Sequence, residues 1–256
     1  MFSITFNQEQ QTFTKPIRIS DIYKDIEKKY PVAMVNNRMR EMSYRFEYDA
    51  DVEFLTLEHP EAVHVYEASL RYLIAMAFKH IYPTYNIKFK YSVSRSVFCY
   101  IVNDPHPNIE EVVTAISAEM KRLIALDIPF TRITTTTSEA KQFYLEQQYQ
   151  DRIDILEYRP DKNVHFYQCG DYKNYMYSYM VPSTGYLSKF NMFPFDIGFL
   201  IQYPRSETNQ AIPKYQAAPK YIDTLRKASV WASVVEADTI EEISFDQINL
   251  PSMVLI

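Results

Sequence analysis

The chain has 256 residues, of which 47% are hydrophobic, and its 27 Lys and Arg against 32 Asp and Glu give a net charge of -5. This length and composition are typical of a globular protein and exclude an intrinsically disordered chain. The negative net charge argues against a dominant phosphate-binding surface, although a local basic patch can still hold the end of a nucleic acid. We therefore expect no DNA partner.

The N-terminal sequence lacks the basic segment and the apolar segment that together form a secretory signal. The longest apolar run, residues 72–78, is far shorter than the ~20 residues that cross a bilayer. Cys99 and Cys169 form no CxxC pair. We therefore predict a cytoplasmic protein without membrane contact, in which both cysteines are free, buried thiols.

The first 58 residues have the pattern of a small α+β unit. FSITF and VAMVNN alternate like strands, and PIRISDIYKDIEKKY predicts a short helix that begins near Ser20. One or two further strands are predicted between Tyr44 and Leu57. This order of strand, helix, strand, turn and strand predicts a β-grasp.

A long helix is predicted after His59, because Pro60 suits the first helical turn and Pro83 stops the helix. Its apolar residues recur at spacings of three and four and define a broad buried face. That face comprises Val63, Tyr66, Leu70, Leu73, Ile74, Ala77, Phe78 and Ile81. We expect this helix to be central to a second domain, with His80 on its solvent side.

Strands and helices alternate along the rest of the chain. Strands are predicted at IKFKYSV, VFCYIV and 130–137, and helices at IEEVVTAISAEMKRLIAL, SEAKQFYLEQQ, QDRIDILEY and YIDTLRKASVWASVVE, the last anchored by Trp231. Residues 165–204 contain all three glycines, Gly170, Gly185 and Gly198, which we expect where the backbone needs positive φ or close approach. Hairpins around a tight turn at 181–185 are predicted there.

The run GDYKNYMYSYMVPSTGYLSKF resembles the part of the threonyl-tRNA synthetase editing domain where Asp-Leu-Cys, a spacer and a His precede a turn. It is closer still to the matching region of nucleoside kinase-like proteins that resemble uridine kinase. The resemblance implies an α+β protein with a TGS-like β-grasp at 1–58. A synthetase-editing-like domain with antiparallel sheet and packed helices follows at 59–204. Residues 205–256 are then a connector and a C-terminal helix that lead to a kinase domain.

The editing enzymes hydrolyse mischarged tRNA with HxxxH on the long helix and Cys-x-x-x-His near the late strand, a set suited to metal binding. The matching positions here are Ala68, Tyr72, Met176 and Met180, and Asn174 replaces the acidic residue before the Cys. None of these side chains replaces a His ligand of zinc, so the resemblance implies a lost metal site and no catalytic residue. Met176 and Met180 suit only a soft ion such as Cu(I), and we favour packing.

We predict instead an aromatic, methionine-lined pocket that binds a ligand without transforming it. The candidate ligand-binding residues are Arg71, Tyr72, Arg152, Asp171, Asn174, Met176, Met180 and Lys189. The expected ligand is a nucleoside, a nucleotide, an amino acid or an RNA 3′ end, and we expect no cofactor in this chain. No GxxxxGK[ST] motif occurs, so ATP and Mg²⁺ are expected only for a kinase domain absent from this chain.

The leading hypothesis is a non-catalytic ligand-binding or regulatory module of a nucleoside kinase-like protein, attached to the kinase domain or paired with it. The alternatives are an aminoacyl-tRNA deacylase acting in trans with a changed active site, and a protein-interaction module.

Two smaller sets of residues have alternative interpretations. His165, Cys169 and Cys99 are conceivable as a metal or thiol site, but a core strand explains the pattern better. Ser183 and Thr184 are conceivable nucleophiles, but hydroxyls in a turn normally bond the backbone.

Overall fold

The computed structural model describes residues 1–104, 106–147, 153, 156 and 163–234. The chain forms two compact units, of which the first contains residues 1–135 and 163–215 and the second contains 136–162 and 216–256. The first unit includes the predicted β-grasp and most of the predicted editing-like segment. The boundaries predicted at 58 and 204 stay predictions.

The N-terminal segment forms a five-stranded sheet and one short helix. Its elements are β1 Phe2–Phe6, β2 Glu9–Phe13, β3 Ile17–Arg18, α1 Ile19–Ile22, β4 Val32–Val35, β5 Arg38–Glu41, β6 Arg45–Phe46 and β7 Ala50–Leu55. The sheet order is β2-β1-β7-β4-β5, and β3 pairs separately with β6. β1 and β7 are parallel, whereas the other neighbours in the sheet are antiparallel. Two hairpins joined by a parallel central pair form a β-grasp arrangement, so the predicted strands are confirmed.

The helix predicted near Ser20 is much shorter than its sequence pattern indicates. α1 has 4 residues, and its N-cap is Arg18. Beyond α1, the carboxylate of Asp25 accepts hydrogen bonds from the backbone amides of Lys29 and Tyr30, at 3.0 and 2.7 Å. These bonds compete with helical ones and hold the segment in turns.

The long helix is α2, Pro60–Ile81, and it begins and ends where the sequence predicts. The His59 ring caps it by accepting a hydrogen bond from the Glu61 amide at 3.2 Å. The predicted buried face is correct except for Ile81, which is 42% exposed because it is the final helical residue. Neither α2 nor any other helix in the described part of the chain is long and apolar enough to cross a membrane.

Two antiparallel sheets and a second long helix complete the first unit. The elements are β8 Ile87–Val93, β9 Ser96–Ile101, α3 Ile109–Ala125, β10 Thr131–Thr136, β11 Asn163–Cys169, β12 Tyr172–Tyr175, β13 Asn191–Phe195 and β14 Gly198–Gln202. The sheet orders are β13-β14-β9-β8 and β10-β11-β12. One hydrophobic cluster contains residues of α2, α3 and both sheets. The α+β class with antiparallel sheets and packed helices is therefore confirmed.

The second unit contains α4 Thr137–Glu146 and α5 Pro219–Val234. α4 begins with a capping box, in which Thr136 and Glu139 each bond the other's backbone amide. The predicted anchoring role of Trp231 is wrong, since 66% of this residue is exposed. The helix predicted at 150–158 and the apolar C-terminal string lie outside the described residues, apart from 153 and 156.

The glycines occupy both kinds of position that the sequence predicts. Gly170 has φ +59° in the turn between β11 and β12. A Cβ on Gly198 would lie 2.1 Å from the carbonyl oxygen of Cys99, because β9 and β14 approach closely there. The predicted tight turn at 181–185 is instead a single bridge between Pro129 and Ser183, followed by a 3-10 turn at Thr184–Leu187.

Alanine substitutions at Gly170 and Gly198 distinguish the need for positive φ from the need for close backbone approach. Gly170→Ala should lower the free energy of unfolding by about 1–2 kcal/mol, because only the left-handed backbone is strained. Gly198→Ala should cost more, because the backbones of β9 and β14 must move apart. Urea denaturation of both variants checks this, and equal losses would contradict the close approach.

Candidate functional site

Two of the residues predicted to bind a ligand lie in the core. Tyr72 and Met180 are each 2% exposed. The Tyr72 hydroxyl lies 2.7 Å from the carbonyl oxygen of Tyr167 and 2.9 Å from that of Tyr172. The phenol therefore ties α2 to the β11–β12 hairpin, at a position where the resemblance has a metal ligand. Its predicted contact with a ligand stays a prediction.

Asn174 and Met176 are half-buried beside this core. The Asn174 amide donates to the Tyr172 hydroxyl at 2.9 Å, and Met176 packs against the main hydrophobic cluster. Met76, which the sequence analysis did not single out, lies one turn after Tyr72 and approaches the Gly170 turn. Aromatic and methionine side chains thus pack together in this region, and the ligand pocket predicted there stays a prediction.

The remaining predicted site residues are dispersed. Arg71 pairs with Glu67, and its guanidinium lies 5.3 Å from the centre of the Phe89 ring, on the four-stranded sheet. Lys189 is exposed, and its backbone rather than its side chain contacts the α2 hydroxyl of Tyr66. Arg152 lies outside the described residues.

The predicted surface position of His80 is wrong, because its ring bridges two helices and a turn. Its Nδ1 lies 2.7 Å from a Glu119 carboxylate oxygen, and its Nε2 lies 3.1 Å from Asp171, another predicted site residue. Arg122 donates two hydrogen bonds, each 2.7 Å long, to the Glu119 carboxylate, and these lower the pKa of Glu119 to about 2. Burial of the carboxylate opposes this shift, whereas the hydrogen bond with His80 adds to it. Asp171 is thus part of a hydrogen-bonded cluster that joins α2, α3 and the turn after β11.

The turn hydroxyls have the structural role that the sequence favours. Ser183 donates to Asp127 at 2.5 Å. Thr184 donates to the carbonyl of Leu123 at 2.7 Å and accepts from the amide of Ile128 at 2.9 Å. These bonds hold the 3-10 turn against α3 and leave neither hydroxyl prepared for nucleophilic attack.

The cysteines are free and buried, as predicted. Burial raises the pKa of the Cys169 thiol to about 12 and also raises that of Cys99, so neither is a thiolate at neutral pH. Within the described residues, no group of three His, Cys, Asp or Glu side chains is placed to hold a metal ion.

A cluster of arginines and tyrosines joins the β-grasp to the three-stranded sheet. We call Arg40, Glu41, Arg132, Tyr167 and Tyr179 the Arg–Tyr cluster. Glu41 is 8% exposed and accepts a 2.5 Å hydrogen bond from Tyr167. Arg40 donates to the Tyr179 hydroxyl at 3.2 Å, and the Arg132 guanidinium lies 5.3 Å from the centre of the Tyr179 ring. Burial and the Glu41 carboxylate raise the pKa of Tyr167, so this phenol stays protonated.

Strand alternation explains why polar groups collect on one face of the three-stranded sheet. Residues two apart on a strand share a face, which pairs Arg132 with Thr134 and His165 with Tyr167. The Thr134 hydroxyl lies 3.3 Å from Nδ1 of His165, and Tyr167 pairs across the strands with Asn174. An imidazole, a hydroxyl and an amide therefore lie on the face that carries the Arg–Tyr cluster.

The Nε atoms of Arg40 and Arg132 are buried, and neither has a hydrogen-bond partner in the described part of the chain. Arg71 and Arg205 have enclosed, unpaired Nε atoms as well, so this feature alone does not mark a ligand site. The side chain of Arg132 is nonetheless 31% exposed, so a ligand can approach the other nitrogens of its guanidinium. Sequence reasoning missed Arg40 and Arg132, because their contacts join strands that are far apart in the sequence. The one local signal was the alternation of RMRE in β5.

An open cavity of about 610 Å³ lies elsewhere in the β-grasp, between the Asn7-Gln8 and Asn36-Asn37 turns. Its lining carries the carboxylates of Asp51 and Glu53 and no basic side chain. Such a lining repels phosphate groups, so this cavity is a poor site for a nucleotide or an RNA end.

No family model matches the chain. The chain is similar to the threonine–tRNA ligase of Fusobacterium nucleatum subsp. nucleatum, with 29% identity over 173 residues, 67% of this chain and 28% of that protein. The ligase of Syntrophomonas wolfei subsp. wolfei is 27% identical over 183 residues, 70% of this chain and 29% of the ligase. That of Alkalilimnicola ehrlichii is 27% identical over 188 residues, 72% and 29% of the two chains.

The chain thus spans less than a third of the length of these relatives. The similarities support a region of the synthetase N-terminal type, with TGS-like and editing-like parts. All three relatives are synthetases, so they lend no support to a nucleoside kinase association or a kinase partner, which stay predictions.

The His80 cluster makes stability depend on pH. Glu119 has a folded pKa below its ordinary 4.5, so its contribution is present above about pH 4.5 and is lost toward pH 2. Glu119→Gln should therefore cost about 1–3 kcal/mol at pH 7 and progressively less below pH ~4.5. Denaturation at several pH values measures this. The exposed Glu110→Gln is the control, and a cost for Glu119→Gln that does not change with pH would contradict the assignment.

Proposed function

We propose that this chain binds the 3′ acceptor end of a tRNA at the Arg–Tyr cluster, as a relative of the synthetase editing region. The observation that carries the proposal is the placement of Arg40 and Arg132 around Tyr179, which belongs to the 176–180 segment that resembles the editing strand. Similarity to threonine–tRNA ligases supports a tRNA as the nucleic acid.

The chemistry of the cluster suits a single-stranded RNA end. Guanidinium groups bind phosphates with two parallel hydrogen bonds, and tyrosine rings stack on bases without regard to sequence. The amide of Asn174 and the hydroxyl of Thr134 lie on the same face and suit ribose hydroxyls or base edges. A local basic cluster of this kind is compatible with a net charge of -5, because screening limits the reach of distant charges to about 10 Å.

Binding of an acceptor minihelix, measured by fluorescence anisotropy, tests this proposal. We expect removal of the single-stranded ACCA end to abolish most of the affinity. Tyr179→Ala should weaken binding roughly tenfold, because one aromatic contact to a base is worth about 1–3 kcal/mol. Tyr221→Ala, at an exposed tyrosine of the second unit, is the matched control. Equal binding of intact and truncated minihelices would overturn the proposal.

Hydrolysis of a misacylated tRNA is a second candidate function, favoured by the contact between His165 and Thr134. A half-buried imidazole on the site face is suited to take a proton from water as that water attacks the aminoacyl ester. The products would be the free amino acid and the deacylated tRNA.

A panel of misacylated tRNAs tests the hydrolytic reading. His165→Gln should slow deacylation about 100-fold or more, the usual contribution of a general base, whereas the exposed His64→Gln should leave the rate unchanged. Hydrolysis no faster than with heat-treated protein would reject a deacylase and leave the binding proposal intact.

A further inference from the structure

We infer that Arg40, Arg132 and Tyr179 form an oxyanion site whose occupant is a phosphate group. That this phosphate belongs to the RNA backbone rests on the proposed function, whereas the oxyanion site itself does not. The inference deepens the function of the Arg–Tyr cluster by assigning these three side chains a ligand chemistry.

The phenol of Tyr179 is oriented as a donor. Arg40 donates to its oxygen at 3.2 Å, and a guanidinium has no acceptor with which to return the bond. The phenolic hydrogen is therefore available to an acceptor beside Arg40. Arg132 lies over the ring of the same tyrosine, with 5.3 Å between guanidinium and ring centre, so both cations flank one side chain.

The two guanidiniums are incompletely paired. Among the described residues, Arg40 donates one hydrogen bond, to Tyr179, and Arg132 donates none, since its nearest carboxylate oxygen lies 4.0 Å away on Glu41. The two Nε atoms are enclosed by protein, so a ligand would meet the terminal nitrogens of each guanidinium. An oxyanion at these terminal nitrogens would accept charge-assisted hydrogen bonds from them.

The surrounding charge favours an anion. Glu41 lies 4.0 Å from Arg132, but its oxygens already accept from Tyr167 at 2.5 Å and Ser43 at 2.8 Å. Arg40 has a ring neighbour rather than a carboxylate, since its guanidinium lies 4.7 Å from the centre of the Tyr44 ring. Two guanidiniums against one carboxylate leave a net positive charge at the cluster.

A phosphate fits this donor set better than a carboxylate does. The donors come from three separate segments, namely Arg40 in β5, Arg132 in β10 and Tyr179 after β12. The oxygens of a phosphate point in tetrahedral directions and can meet donors from several sides, whereas a carboxylate presents two oxygens in one plane. A phosphodiester at this point would lie close to the face that carries His165 and Asn174.

The test measures inorganic phosphate, adenosine and the dinucleotide CpA by calorimetry, at constant ionic strength. Arg40→Gln and Arg132→Gln should each weaken phosphate and CpA binding roughly tenfold and leave adenosine binding unchanged. Arg132→Lys keeps the charge but lacks the fork, so it should also lose affinity. The control is Arg45→Gln, an equal charge change at an exposed arginine of β6, which should bind phosphate and CpA like the unsubstituted protein.

Tyr179→Phe removes only the hydroxyl and should also weaken phosphate binding, which provides a variant that keeps the packing. Melting temperatures without ligand identify any variant that fails to fold.

Phosphate binding that is absent, or that is equal in Arg132→Lys, Tyr179→Phe and the unsubstituted protein, would overturn the oxyanion site. Minihelix binding that is weakened in Tyr179→Ala but persists, together with phosphate binding, in both Gln variants would overturn the oxyanion site while sustaining RNA binding at the cluster. Phosphate binding lost in those variants, without any tRNA binding, would sustain the oxyanion site and overturn the RNA assignment.

Discussion

The structure depends on the burial of α2, because a helix packed on several sides must satisfy every polar group that it carries inward. Its hydroxyls do so by bonding the segment that follows β11. Ser69 donates to the carbonyl of Val65 at 2.7 Å and accepts from the amide of Val181 at 2.9 Å, while Tyr66 bonds the backbone of Lys189. The 176–189 segment is thus held against α2 by hydrogen bonds that water cannot replace in the core.

The burial of α2 also determines which polar side chains remain available to a ligand. Where the resemblance to the editing enzymes has imidazole and thiolate ligands, Tyr72 and the methionines pack and bond as core residues. The polar side chains of the Arg–Tyr cluster lie at the three-stranded sheet, where β5 of the β-grasp contributes Arg40 and Glu41. The β-grasp is therefore part of the candidate site, and its contacts with the three-stranded sheet orient the side chains that would meet a ligand.

Local patterns were sufficient for most of the fold. The spacing of apolar residues and two prolines defined α2, and strand alternation ending in Asn36-Asn37 defined β4 and the turn after it, although β5 was not predicted. Patterns failed where a single side chain redirects the backbone. Asp25 ends α1 early by bonding amides beyond it, and Thr184 converts an expected turn into a 3-10 turn by bonding two distant backbone groups.

The sequence by itself determined the α+β class, the extent of α2 and the two buried thiols. These follow from periodicity, composition and residue type, which act over a few positions. The tertiary structure alone decided that His80 bridges Glu119 and Asp171, and that Arg40 meets Tyr179 although 139 residues separate them. Such contacts depend on how sheets and helices pack, and no spacing along the chain encodes which two strands will face each other.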